Sequence, residues 1–524
     1  MFKPKGVMFL ALLVVALSSH DGGELYVSHK LPQGAMAQIV QERVNLDIVK
    51  QIRDEGLERS HVPELARHLT EVIGPRLTGS PGMRKANEWT AEKLRKWGLT
   101  NVQIEEWGEF GRGWGQERYS GQILTPFIQP LHAKPVAWTG STNGTARGRA
   151  VVLSTRSAED LEQYQGTLRG AWVLLQDPPT VENESEHRPR RISLERLLTP
   201  RPLRSRQQPL PTPTRDKVDA FFRRMPGLQQ SVHDILREEG ASGILTPSFR
   251  DHGVLFGPFE SGPGRDPDGT IPLPQLVLTR EQYNLIHRNV SKGVPVELEI
   301  NVQNTFYEAD LNAYNTLGDI RGTDKAGEYI MIGAHLDSLH WSGGATDNAA
   351  GVVIVMEAMR ILSSLDLTLR RSIRIALWSG EEQGALGSWA WLVKHPELHD
   401  KISVYLNVDA GTGRIRGLRT QGNHEAVAIF EQILFPLRDL GVVTVNTASP
   451  FGSDHSSFDL VGIPGFKFLQ DPIESYRTRH TSLDTYDHLV VEDLKQAAVV
   501  VAAMAYHLAV REEMMPRKEV NNAE

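Results

Sequence analysis

Tyr329-Ile-Met-Ile332 runs directly into Gly333-Ala-His335-Leu-Asp337-Ser338. The apolar run is the length of a buried strand and is bounded by polar residues, so it delivers His335 at a strand's carboxyl end. Three more runs stop the same way. Ile373-Arg-Ile-Ala-Leu-Trp378 ends before Ser-Gly-Glu381-Glu382, Val404-Tyr-Leu-Asn-Val408 ends at Asp409, and Gly465-Phe-Lys-Phe-Leu469 leads toward His480. Between the first two, Asp347 precedes a stretch, 349–362, whose apolar residues recur at three- and four-residue steps, which places Asp347 at the N-terminus of a buried helix.

Strands alternating with helices predict an α/β fold with a mostly parallel central sheet flanked by helices. In such sheets polar groups gather in one crevice beyond the carboxyl ends, so His335, Asp347, Glu381, Glu382, Asp409 and His480 are expected to meet there. Imidazole and carboxylate suit zinc, and one Asp can bridge two ions about 3.5–4 Å apart. A single His or Asp at a strand end is more often structural. An adjacent Glu-Glu pair gathered with four such groups is different, because it is costly to cluster without a cation.

In order and spacing, His335-x-Asp337, Asp347-Asn348, Glu381-Glu382, Asp409 and His480-Thr481-Ser-Leu-Asp484-Thr485 resemble the dizinc exopeptidase family that includes bacterial leucyl aminopeptidase and carboxypeptidase Q, the plasma glutamate carboxypeptidase. The resemblance implies the zinc exopeptidase fold and two zinc ions per chain. It implies His335 and Asp409 on one ion, Glu382 and His480 on the other, Asp347 bridging, and Glu381 as general base. It also implies hydrolysis of short peptides or dipeptides by a metal-bound hydroxide. Asp337 is expected to accept a hydrogen bond from the ring of His335. Asp484 is expected to orient the loop around His480, and Ser453, Asp454 and His455 to form a substrate-side loop, with His455 not a ligand.

Asp409-Ala-Gly-Thr412 is nearest to the carboxypeptidase Q-like members, whereas Asn348 and Gly452-Ser-Asp-His-Ser-Ser-Phe458 are nearer the aminopeptidases, so an aminopeptidase is the alternative reading. Glutaminyl cyclases share the sheet with a single zinc, and non-catalytic relatives lose ligands. The second metal position, His335 with Asp409, and the retained base argue against both.

At 524 residues the chain exceeds one core and calls for two or three units. Residues 1–18 carry Lys3 and Lys5, then an apolar run, then small residues, the order of a cleaved signal peptide, so export to a periplasm or the extracellular space is expected. With no cysteine there is neither disulfide nor thiolate ligand. Removing two Lys and no acid with residues 1–18 moves the net charge from -7 to -9, which argues against nucleic acid. Peptides are the expected partners, no stable membrane insertion is expected after cleavage, and a homodimer is compatible with the sequence.

In chain order, residues 36–59, 61–73 and 83–97 read as helices, the last ended by Gly98, and 99–107 as a strand. The turn-rich 74–82 lies near the crevice in the family. Residues 19–123 form the first part of the catalytic domain. Short strands and turns over 124–302 read as an inserted domain resembling the β-rich protease-associated domain. Within it, 186–215 is rich in Pro and Arg and reads as a mobile loop. The catalytic domain resumes over 303–512, where 315–322 is expected to form a hairpin with 328–334. Residues 490–511 read as a helix and 513–524 as a charged, frayed tail.

Overall fold

The computed structural model describes residues 42–153, 164, 166–181, 191–199, 227–257 and 263–518, with the short strands Ser19–His20 and Glu24–Tyr26. The signal-peptide reading, most of the Pro/Arg segment and the end of the tail lie outside the described residues.

Lys325–His335 is the centre of an eight-stranded sheet. It pairs in parallel with Arg371–Trp378 on one side and Ile402–Asn407 on the other, and Gly465–Gln470 continues the parallel set. Helices cover both faces, which is why these strands read as near-continuous apolar runs. Ile330, Ile332 and Ala334 pack with the helices Ala350–Ser364 and Val491–Val510 in the main core, while Met331 meets Trp391, Tyr405 and Phe458 on the opposite face. From the His335 strand the chain moves first to one neighbour and later to the other. That divergence opens a crevice at the carboxyl end of the His335 strand.

The expected hairpin does not form. Asn312–Ile320 pairs antiparallel with Arg371–Trp378 and with Thr100–Glu109, so Arg371–Trp378 separates it from the His335 strand. Ile373, Ile375, Ala376 and Leu377 are fully buried. A strand buried on both faces must find backbone partners along both edges, and this requirement outweighs the short loop closure of a hairpin.

A second eight-stranded sheet holds the long antiparallel pair Gly113–Thr125 and Glu297–Tyr307, with shorter strands between them in sequence. It therefore starts before 124 and ends after 302, wider than the expected insertion. Its core gathers Trp172, Leu245, Leu276, Tyr283 and Leu298.

Part of the Pro/Arg segment is docked. Arg191 Nη1 lies 2.5 Å from Asp493 Oδ2 and 3.2 Å from Asp471 Oδ2, both carboxylates buried, and Ser193 caps the short helix Leu194–Leu198. The tail is held through Lys518: Met515 is buried and donates its N–H to Ser403 Oγ, and Arg517 donates to the carbonyls of Gly462, His399 and Ile402. Val491–Val510 is the single helix among the described residues long and apolar enough to span a bilayer, and it is buried in the core.

Candidate metal centre

Each predicted donor sits at the carboxyl edge of the parallel strands. His335 closes its strand, Glu381 and Glu382 follow Arg371–Trp378, and Asp409 follows Ile402–Asn407. Asp347 precedes helix Ala350–Ser364, and its approach depends on Gly344, whose φ of 57° and 2.4 Å clearance from Ser338 Cβ leave no room for a side chain. His480 itself has φ 61°, a region that non-glycine residues rarely occupy.

The two oxygens of Asp347 face different imidazoles. Oδ1 lies 3.1 Å from His335 Nε2, and Oδ2 lies 2.8 Å from His480 Nε2. His335 Nε2 is also 3.7 Å from Asp409 Oδ1, and His480 Nε2 is 3.0 Å from Glu382 Oε2. The donors form two triads, His335–Asp347–Asp409 and Asp347–Glu382–His480, each with its ligand atoms within 4.8 Å of one another. Glu381 belongs to neither, although its Oε2 is 3.9 Å from His335 Nε2.

Asp337 meets the ring of His335 through its backbone carbonyl, 3.1 Å from Nδ1, and its carboxylate Oδ1 lies 3.6 Å from His335 Nδ1. The Asp337 carboxylate accepts the N–H groups of Glu381 at 3.3 Å and Glu382 at 3.2 Å and the hydroxyl of Thr78 at 3.1 Å. A buried carboxylate can serve three donors at once, the two N–H groups of the Glu-Glu turn and the Thr78 hydroxyl. Asp484 accepts from Thr346 N at 2.5 Å, Thr346 Oγ1 at 2.7 Å and Asp347 N at 3.1 Å, tying the His480 segment to the Asp347 loop.

Ser453, Asp454 and His455 are buried. Asn407 Nδ2 donates to Ser453 Oγ, and His455 Nε2 faces the carbonyl of Pro450 at 2.9 Å. The helix His455–Leu460 they open turns inward because Phe458 stacks on Tyr405 at 4.1 Å beneath the sheet edge.

Several participants escaped the sequence reading. Arg76 is fully buried and donates to the carbonyls of Leu336, Gly74, Gly343 and Gly344, fixing the Asp347 loop against the His335 strand. Lys467 Nζ donates to Asp409 Oδ2 at 2.8 Å. A lone lysine inside the apolar Gly465–Gln470 strand was the one available signal for it. Arg479 Nε lies 3.3 Å from Asp347 Oδ2.

Burial holds the Glu381 carboxyl well above the usual range; His335 pulls it back, while Asp409, Asp454 and Glu382 add to the rise. Burial opposes a charge on His480, yet Glu382 and Asp347 raise it to about 10. Burial would raise Asp347, but its hydrogen bonds to His335 and His480 hold it well below the ordinary value. An acid cluster that draws protons onto both imidazoles is one that divalent cations would stabilise more strongly. The Glu382 Oε1 atom is buried without a partner, and the donor set is wholly imidazole and carboxylate. These residues fit a metal of zinc's preferences.

The Peptidase family M28 model matches residues 315–505, which span the whole of both triads. Residues 315–505 belong to peptidase family M28. The resemblance extends beyond those residues: the chain is 25% identical over 513 residues to carboxypeptidase Q of Mus musculus, covering 97% of this chain and 98% of the relative. In fold it matches a Peptidase M28 precursor from Shewanella amazonensis with a TM-score of 0.63 and 23% identity, over 90% of this chain and 98% of that one. A zinc aminopeptidase from Bacillus subtilis matches with a TM-score of 0.54 and 18% identity, over 86% of this chain and 95% of that one.

Proposed function

We propose that this chain is an exported dizinc exopeptidase of the carboxypeptidase Q type that hydrolyses short peptides. In this reading His335 and Asp409 hold one zinc, Glu382 and His480 the other, and Asp347 serves both. The observation that carries it is the single carboxylate shared by two His-containing triads, with a third acid, Glu381, beside them and outside both. When bound, the zinc pair supplies Lewis acidity to the scissile carbonyl and to the attacking water.

The chain's own residues do the rest. Glu381, its pKa raised by burial, accepts a proton from the attacking water at its carboxylate and passes it to the leaving amine nitrogen. Asp337 holds the Glu381–Glu382 turn, and Lys467 occupies the second oxygen of Asp409 so that the first faces the metal position. A loop that leaves the second sheet after Gly243–Pro247 reaches one side: Leu255 and Ser482 exchange backbone and hydroxyl hydrogen bonds, and Phe256 sits 6.1 Å from the His480 ring. That sheet is the part of the chain that resembles a protease-associated domain.

An aminopeptidase of the same family is the second reading, favoured by Asp347-Asn348 and the 452–458 stretch. Zinc analysis of the purified protein, with mass spectrometry of products from peptides blocked at either end, tests both. Two zincs per active chain and loss of cleavage on blocking the C-terminus are expected. A fully active chain with one zinc overturns the dizinc reading, and cleavage that depends on a free N-terminus alone selects the aminopeptidase.

A further inference from the structure

Cations surround the acid cluster in three positions with different exposure. Arg76 is fully buried and spent on backbone carbonyls. Lys467 is 14% exposed and bonded to Asp409. Arg479 differs: its side chain is 56% exposed, and among the described residues Asp347 is the carboxylate in ion-pair contact with it, 3.3 Å from Nε, with Asp409, Glu382 and Glu381 farther off. Asp347 is already met by His335 and His480. Once two divalent ions balance Asp347, Glu381, Glu382 and Asp409, Arg479 is left on the rim as a desolvation-prone cation without a dedicated counter-charge.

We propose that Arg479 is a specificity-determining residue that binds the free α-carboxylate of the substrate's C-terminal residue. This rests on the dizinc exopeptidase reading and selects its carboxypeptidase form. The guanidinium offers a planar fork that matches a carboxylate in two parallel hydrogen bonds, which an ammonium cannot reproduce. Its place decides the length of the substrate. The scissile carbonyl sits at the triads, Arg479 stands against the acid that serves both, and one residue of extended chain spans only about 3.3–3.6 Å. A carboxylate on Arg479 is therefore one residue beyond the cleaved bond. Beside it, Phe256 lies 6.1 Å from the His480 ring, and Arg250 lies 4.6 Å over the Tyr476 ring and donates to the Tyr476 carbonyl. Removal of a single C-terminal residue, with dipeptides as the shortest substrates, follows.

The test compares alanyl-alanine with its C-terminal amide on the zinc-loaded full protein, on Arg479→Ala and on Arg479→Lys, with zinc content measured for each. Binding of the same two peptides is read by calorimetry in a Glu381→Gln background. We expect Arg479→Ala to raise KM and Kd for the free acid by about tenfold or more, to leave those for the amide within about twofold, and to keep its zinc; Arg479→Lys should recover part of the loss. Equal loss on acid and amide, loss of zinc, or no change on the acid would overturn the proposal. Wild-type protein that holds zinc yet cleaves neither peptide would instead overturn the exopeptidase reading, and the calorimetric comparison would still decide the role of Arg479.

Discussion

The carboxylate of Asp484 accepts the backbone N–H of Asp347 at 3.1 Å. Two segments far apart in sequence are thereby joined at the residue both triads share, and the same carboxylate takes both donors of Thr346. Burial lifts Asp484 to about 7. Asp484→Ala removes acceptors from three buried donors while leaving every metal donor in place. Zinc affinity should fall by about 10–100-fold. Competition with a chelator measures it, and unchanged affinity would show that the Asp347 loop needs no such support.

The adjacent glutamates should separate by metal content. Glu381→Gln keeps its size but cannot accept a proton, so it should retain two zincs and peptide binding while turnover drops by about 10²–10⁴-fold. Glu382→Gln should lose zinc toward one per chain, because Gln is a neutral and weaker ligand. Metal analysis beside kinetics reads both, and the opposite pattern would reverse the assignment.

Arg360 links two helices through buried acids. Its Nε and Nη2 donate to Glu357 at 2.9 and 3.0 Å, and its Nη1 donates to Glu55 at 2.6 Å. Arg360→Met would leave the wholly buried Glu357 carboxylate with the His61 N–H but no cation, while Glu55 keeps Arg59, and should cost about 3–5 kcal/mol. Denaturant unfolding measures this. A loss under about 1 kcal/mol would mean that water reaches the acids.

Acid should destabilise the fold through buried neutral histidines. Burial holds His233, His455 and His507 at about 4. Unfolded, each returns to about 6.5, so as pH falls the unfolded chain takes up protons first; stability is full above pH of about 6.5 and is lost progressively toward about 4. His507 shows why: Nδ1 faces the Ala503 carbonyl at 2.7 Å and Nε2 accepts the Asn45 N–H at 3.2 Å, which leaves no site for a second proton. The melting temperature should fall across that window, and His507→Gln should flatten the slope. A flat profile between pH 7 and 4.5 would contradict this.

Local patterns in the chain specify the strand ends and the residues placed on them. His335, Glu381, Glu382 and Asp409 follow short apolar runs, and Asp347 precedes a run of helical period; both are local patterns that burial on a parallel sheet imposes directly. The long core helix was legible for the same reason. Which strand lies beside which is set by packing, because Arg371–Trp378 enters between two segments that are neighbours in the chain and no local pattern records a long-range pairing. Packing also sets the supporting contacts: the Asp337 carboxylate on the Glu381–Glu382 turn, Arg76 on four carbonyls, Lys467 on Asp409, and the inward turn of Ser453, Asp454 and His455. A polar side chain reads the same in sequence whether it faces solvent, substrate or a buried donor. Its role follows from the partners that packing brings within hydrogen-bond reach.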